Sequence, residues 1–294
     1  VAGFTLIELI IVMVITGILA AMVALFIRSP VQAYVDSVAR AEITDIADLT
    51  LRRLTRDLRL ALPNSVRITT VGTETYLELL LTKTGGRYLA EEDGQGLAGV
   101  LSFSSANPSP NPLQFTIVGT PPAGRQAIVA GDRIAVYNLG PGFDPADAYN
   151  CGGSIVSCNL ATVAGIAGNT VTLQSNPFQS QSPPMPSPSN RFQVVSTPVT
   201  YYCDPLVAGM PNHTGRLMRY TGYTISASQP ADTTALPLSA ASSQTRLADN
   251  ISACNFAMAT LVNIQRGLVS LQITLTSGTE SVNLMQQVHV DNAP

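Results

Sequence analysis

Charge is scarce in this sequence. Its 294 residues hold 16 Lys+Arg and 19 Asp+Glu, so charged residues make up 12% of the chain, where an average soluble domain carries about 25%. The formal net charge is -3, and Lys83 is the single lysine. The net charge and a pI near 5.3 argue against an electrostatic nucleic-acid binder, which needs a basic face to displace counterions from phosphates. Tryptophan is absent, histidine occurs twice and cysteine four times, which leaves little material for metal or nucleophilic chemistry. No Gly-x-Ser-x-Gly elbow, Walker loop or Gly-x-Gly-x-x-Gly fingerprint accompanies the histidines. His213 lies in a Pro-Asn-His-Thr-Gly turn. His289 lies between Val288 and Val290, so period two gives it the opposite face from them, as for a surface strand residue. An enzyme is not expected. Apolar residues, by contrast, reach 46%, well above the disorder regime, and the length allows one large or two small domains.

The apolar residues are unevenly spread. From Leu9 to Ile27 there is no charge and almost nothing polar except Thr16. At about 1.5 Å per residue such a helix is roughly 28 Å long, close to the ~30 Å hydrocarbon core of a bilayer, so the segment can span a membrane. Ala20-Ala21-Met22 imitates a secretory cleavage site, but continuation of the helix past Arg28 counts against a cleavable signal. Glu8 is the anomaly. A carboxylate entering the apolar part of a span costs on the order of 2.5–3.5 kcal/mol at the centre and less near the end, and it marks a candidate functional site. The competing explanation is a first-turn acid favoured by the helix dipole and reaching the headgroups.

Gly3-Phe4-Thr5-Leu6-Ile7-Glu8 followed directly by the apolar run resembles the processing site of type IV prepilins. The resemblance implies that a dedicated peptidase cuts after Gly3 and N-methylates the new terminal residue, Phe4. It also implies that Glu8 neutralises the Phe4 amine of a neighbouring subunit during filament assembly. Only Val1 and Ala2 precede the glycine, without the basic leader expected on the cytoplasmic side, so the start is expected to be truncated.

Beyond the span, Pro30 removes one backbone donor and is expected to kink or locally melt the helix. Helix period then resumes. Val31, Val35, Val38, Ile46, Leu49, Leu54 and Leu58 form the predicted apolar stripe, with Pro63 and Asn64 ending the helix. Asp36 with Arg40 and Asp48 with Arg52 are acid-before-base i,i+4 pairs, worth about 0.2–0.5 kcal/mol each. Residues 28–62 carry 11 of the 35 charged residues.

From Val66 onward the period becomes two, in short runs separated by Gly, Pro, Asn and Ser. Hairpins are predicted for 66–71 with 76–81, for 161–166 with 170–174, and for 269–275 with 282–290 around Ser277-Gly278. Further strands are predicted at 133–137, 191–195, 199–203 and 216–223. Residues 107–112 and 177–189 read as proline-rich extended surface loops, insertions within one head domain. The fold class is therefore α+β, a long N-terminal helix, first transmembrane and then amphipathic, packed on an antiparallel β-rich head in pilin-like fashion. The expected partition is 1–3 leader remnant, 4–27 transmembrane helix, 28–62 amphipathic helix and 63–294 extracytoplasmic head.

Cys151, Cys158, Cys203 and Cys254 would lie on the extracytoplasmic side, where disulfides persist, and four cysteines permit three pairings. Cys151 with Cys158 is the local choice, closing a small loop around Gly152-Gly153 and leaving Cys203 with Cys254 as a long staple. Neither the spacing nor the histidines support a zinc site. Asp144 and Asp147 offer a calcium alternative, but turn chemistry explains them without a metal, so no cofactor is expected.

Residues 61–67, Ala-Leu-Pro-Asn-Ser-Val-Arg, and 287–294, Gln-Val-His-Val-Asp-Asn-Ala-Pro, resemble the MshO group of minor pilins of the mannose-sensitive haemagglutinin (MSHA) pilus. That group is related in architecture to the GspJ minor pseudopilins of type II secretion. The resemblance implies an initiating or tip-proximal subunit that starts in the inner membrane with its head in the periplasm and then enters a pilus or pseudopilus. Its implied partners are other minor pilins, the major pilin, the prepilin peptidase and the inner-membrane assembly platform. A tip-displayed adhesin is the alternative, with Tyr201, Tyr202, Tyr220 and Tyr223 as candidate contact residues.

Overall fold

A computed structural model describes residues 5–291 apart from 94–95, 97, 107–108, 152–156, 207–213 and 261–265. Gly3, Phe4, Gly152, Gly153, His213, residues 107–108 of the first proline-rich loop and the last three residues therefore lie outside the described residues.

One helix, α1 (Leu6–Arg59), runs for 54 residues, about 80 Å at the usual rise. It passes through Pro30 without a break in helical structure, so the predicted melting is absent. The proline costs a single hydrogen bond in a helix held by many others. The helix also ends three residues short of the expected Leu62. The amides of Leu60 and Ala61 still donate back to Asp57 O and Leu58 O, but Leu62 N donates to Leu80 O at 2.8 Å and Leu60 O accepts from Thr82 N at 2.9 Å, so the chain passes from helical to strand partners over residues 60–62.

The head begins with β1 (Arg67–Val71) and β2 (Glu74–Tyr88), joined by the predicted hairpin. β3 (Gln114–Val118), β4 (Arg133–Ala135), β5 (Leu160–Ala167), β6 (Thr170–Leu173), β7 (Arg191–Asp204), β8 (Arg216–Thr221) and β9 (Ser243–Asp249) complete a nine-stranded antiparallel sheet. The two runs predicted at 191–195 and 199–203 are one strand, β7, paired along almost its whole length with β2. Prediction separated them because Ser196, Thr197 and Pro198 look like a break. Pro198 is tolerated here although β7 lies within the sheet, because the irregular register of β2 against β7 falls at Leu81 to Thr84, beside it.

That irregularity divides the sheet. Above it, the pairings β2–β3, β3–β6, β6–β5, β5–β4, β4–β7 and β7–β2 close on themselves. This ring encloses a core that includes Tyr88, Phe115, Ile117, Ile134, Val163, Val171, Phe178, Phe192 and Val194. Gly86 lets β2 approach Phe192 there, since a Cβ on it would meet the phenyl ring at 2.9 Å. The segment 177–189, expected as a surface loop, is instead partly interior. Residues Pro177–Ser180 form a 3-10 turn, and the ring of Phe178 is fully buried 5.5 Å from that of Phe103.

Below the irregularity, β1, β2, β7, β8 and β9 face α1 together with a second sheet of β10 (Ile251–Thr260), β11 (Arg266–Ser277) and β12 (Glu280–Asp291). Ile43, Ala47, Leu51, Leu54 and Leu58 of the helix share this core with Leu77, Leu79, Val199 and Leu217 of one sheet and Leu271, Ile273 and Val288 of the other. The Cys203–Cys254 disulfide joins β7 to β10 across the two sheets, with Cα atoms 6.5 Å apart. Cys151 pairs with Cys158 at a Cα separation of 5.5 Å.

Candidate functional site

The helix provides two different surfaces. Its first part, Leu6–Ala24, has a mean hydropathy of 2.7 over 19 residues, and none of it is covered by the rest of the chain. Thr16 returns its hydroxyl to Val12 O at 2.7 Å, so the one polar side chain after Glu8 in the run is satisfied inside the helix, as an apolar medium demands. Leu9 lies in this uncovered run, and α1 continues through Ile27. Glu8 sits in the first turn, exposed, with its Oε2 3.5 Å from Thr5 N and 3.4 Å from the Thr5 hydroxyl. These long contacts leave the carboxylate open to a stronger donor, such as an ammonium group.

Past the span, the helix is apolar on its outer side as well. Val31, Tyr34, Val35, Val38 and Leu49 are all about half exposed or more. The predicted stripe thus mixed two faces. Leu54 and Leu58 are buried and Ile46 is partly buried, whereas Val31, Val35, Val38 and Leu49 point away from the head. The core-facing residues that periodicity missed are Ile43, Ala47, Thr50, Leu51 and Asp57. Of the two predicted ion pairs, Arg52 meets Asp48 at 2.6 Å. Asp36 instead accepts from Gln32 Nε2 at 2.8 Å, while Arg40 reaches across to Glu280 on β12 at 3.6 Å.

Asp57 fixes the inner side of the helix to the head. Its Oδ2 accepts from the Tyr201 hydroxyl at 2.8 Å and from Arg219 Nε at 2.9 Å, and the carboxylate is 2% exposed. Burial, reinforced by the Asp57 charge, pushes the Tyr201 phenol well above its ordinary range. The one sequence clue to Asp57 is its position between Leu54 and Leu58, on the apolar side of an otherwise charged segment.

A second buried charge network lies between the sheet and the loop after β8. Arg67 pairs with Glu78 at 2.5 Å, donates to Ala227 O and Ser226 O, and stacks 3.6 Å from the centre of the Tyr149 ring. The Tyr223 hydroxyl donates to Glu78 at 2.9 Å. Burial raises the Glu78 carboxyl against the opposing pull of Arg67, and burial also raises the Tyr149 and Tyr223 phenols. Tyr201, Tyr202, Tyr220 and Tyr223 are accordingly interior, and they do not form the contact surface expected of an adhesin. Alternation on β7 places Tyr201 against the helix and Tyr202 on the other side of the sheet, where Tyr76 and Tyr220 stack with it.

The remaining candidates are separate. His289 is exposed between buried Val288 and Val290, as period two predicts. Asp144 accepts from Asn150 Nδ2 at 2.9 Å, and Asp147 accepts from Gly142 N and Tyr149 N, which is turn chemistry. Among the described residues, no group of three or more His, Cys, Asp or Glu side chains is arranged to hold a metal ion.

A family described as the prokaryotic N-terminal methylation motif matches residues 1–24. No curated protein and no solved structure matches the chain. The motif, the apolar helix behind it and the α+β architecture support a type IV pilin-like prepilin, a membrane-anchored subunit of the pilin or pseudopilin type. The motif implies processing by a prepilin peptidase and assembly with other pilins, a class that is typically structural.

Proposed function

We propose that this chain is a minor pilin of an MSHA-like type IV pilus, which primes assembly and stays as a tip-proximal structural subunit. The observation that carries the reading is a single helix whose first half is bare and apolar with an open Glu8, and whose second half is locked to a disulfide-stapled head. Before assembly the span holds the subunit in the inner membrane with the head in the periplasm. After cleavage at Gly3, the Phe4 amine of one subunit meets Glu8 of the next, which orients the helices in parallel. The MSHA assignment is supported by the MshO-like residues 61–67 and 287–294. Residues 61–62 of the first segment make the helix-to-β2 junction, and residues 287–291 of the second lie in β12 against α1. Both segments thus belong to the helix–head joint.

The role is structural and requires no cofactor, so excess chelator leaves the melting temperature unchanged. The decisive test is replacement of Gly3 and Glu8 in cells. Gly3→Val leaves an unprocessed chain without a methylated Phe4 terminus by mass spectrometry, whereas Glu8→Ala is processed but fails to enter sheared pili. Normal incorporation of Glu8→Ala would refute the orienting role.

A further inference from the structure

Among the described residues, three arginines of the head are withdrawn from full exposure: Arg67, Arg133 and Arg219. Arg67 meets Glu78 and Arg219 meets Asp57, so a carboxylate balances two of the three. Arg133, on β4, is different. Among the described residues its guanidinium has neither an ion-pair nor a hydrogen-bond partner, and burial lowers it from the ordinary arginine range with no charge acting the other way. The nearby Lys83 is already engaged, with Asp132 at 2.6 Å. A cation taken out of water without a counter-charge is costly, and nothing in the described chain offsets that cost for Arg133.

Alternation on β4 decides where Arg133 points. Ile134 enters the core of the ring, so Arg133 faces the outside. There it lines a recess of about 130 Å³ with Tyr149, Cys151, Ile225 and Thr162, the last being its register partner on β5. The recess shares Tyr149 and Ile225 with an adjoining groove of about 440 Å³, a size within the range of about 300–1,000 Å³ usual for small-molecule sites. Among the described residues, the hydroxyls of Thr162, Thr224 and Ser226 make no hydrogen bond. Asn150 commits its amide nitrogen to Asp144 and keeps its amide oxygen open. Leu236, 78% exposed, and Pro237 form the apolar wall of the groove.

We propose that the recess and the groove are one binding site for a sugar acid, with its carboxylate on Arg133 and Thr162 and its hydroxylated ring along the groove. The planar guanidinium fork matches a carboxylate, and the Thr162 hydroxyl adds a further donor. One uncommitted positive charge balances a monoanion. A phosphate group, with a charge of about −1.5 to −2 at neutral pH, would call for a second cation, and both Lys83 and Arg67 are engaged. Thr224, Ser226 and the Asn150 oxygen answer ring hydroxyls, while the C–H face of the ring lies against Leu236 and Pro237. A peptide fits less well, because an extended chain needs free backbone partners and Arg67 already occupies Ser226 O and Ala227 O. Sugar-acid binding is independent of the pilin-type reading.

The test titrates the full-length chain in detergent with glucuronate and with N-acetylneuraminate, by calorimetry and by thermal melting. At least one of the two acids is expected to bind and to raise the melting temperature. Its uncharged methyl ester is expected to bind at least about tenfold more weakly, as is the acid itself to Arg133→Met, and Thr162→Val is expected to lose about threefold. Without ligand, Arg133→Met is expected to melt at the same temperature or higher, since it removes an unbalanced charge, and this separates lost binding from a lost fold. Equal binding of the acid's methyl glycoside supports a glycan terminus as the source, and its failure to bind supports a free sugar acid. Absence of binding by both acids would overturn the proposal. So would tighter binding of inorganic phosphate or of tetra-alanine, or unchanged binding by Arg133→Met. A lower melting temperature of that variant without ligand would also overturn it, because the guanidinium would then have a partner within the fold.

Discussion

The two halves of α1 are equally helical and have opposite fates. Ile43 to Leu58 is covered by two sheets and clamped by Asp57, Tyr201 and Arg219, whereas Leu6 to Ala24 is uncovered and Val31, Tyr34, Val35 and Val38 are exposed. Apolar content alone does not separate them, since the uncovered half is the more apolar. The difference lies in where polar groups stand. On the covered half, Thr50, Thr55 and Asp57 are buried among leucines, and two of them find partners in the head: Thr50 reaches Leu247 O at 3.4 Å and Asp57 reaches Tyr201 and Arg219. On the uncovered half, Thr16 finds its acceptor inside the helix, and Glu8 is held only by Thr5. One half is specified by the head, and the other is complete only in lipid or among other helices.

This contrast can be broken most strongly by titrating the head. Burial raises the phenols of Tyr88, to about 12, and of Tyr149, Tyr201 and Tyr223 still further. A raised value means that the folded chain keeps protons the unfolded chain releases above about pH 10, so stability is full below pH 10 and falls as pH rises through 12. Four such groups cost on the order of 5 kcal/mol at pH 11. Urea unfolding of the detergent-solubilised chain, followed by near-ultraviolet circular dichroism, should show the midpoint collapse there, with the far-ultraviolet helix signal from the span retained.

Removing the staple between the sheets comes next. Cys203→Ser with Cys254→Ser opens a closure of 51 residues and should cost about 4 kcal/mol on chain-entropy grounds, a mechanism that calorimetry disputes. The same denaturation series measures it. Asp57→Ala should cost about 3 kcal/mol, the low end for breaking a buried pair, because Arg219 is 12% exposed and can recruit water. Asp57→Asn should recover part of that loss by keeping the Tyr201 hydrogen bond.

The smallest effect sharpens the comparison from the other side. Val35→Ser lies on the bare half, 52% exposed, and should change head stability by less than about 0.5 kcal/mol. An unfolding loss as large as that of Asp57→Ala would mean that the head reaches much further down the helix than the contacts here indicate.

Much of this molecule was legible in its sequence. Period two and Gly-centred turns found the β1–β2, β5–β6 and β11–β12 hairpins, because each is local and its turn residues are diagnostic. The strands at 114–118, 243–249 and 251–260 were missed, since the first is only five residues long and the other two lack clean alternation. On the helix, spacing alone found Leu54 and Leu58 but assigned Val31, Val35, Val38 and Leu49 to the same face. Apolar residues on two faces give the same counts at spacings of three and four. Asp57 and Glu78 were invisible as site residues, because a carboxylate's burial depends on an arginine 162 or 11 residues away.

The sequence by itself determined the membrane-length apolar run, the glutamate at its start and the change from helical to strand periodicity, all properties of contiguous residues. Only the tertiary structure decided which side of α1 the head covers, because that choice depends on two sheets closing around Ile43 to Leu58 and on one buried aspartate meeting Arg219. It thereby also decided that Glu42, Asp45, Arg53 and Arg56 on the other side are exposed.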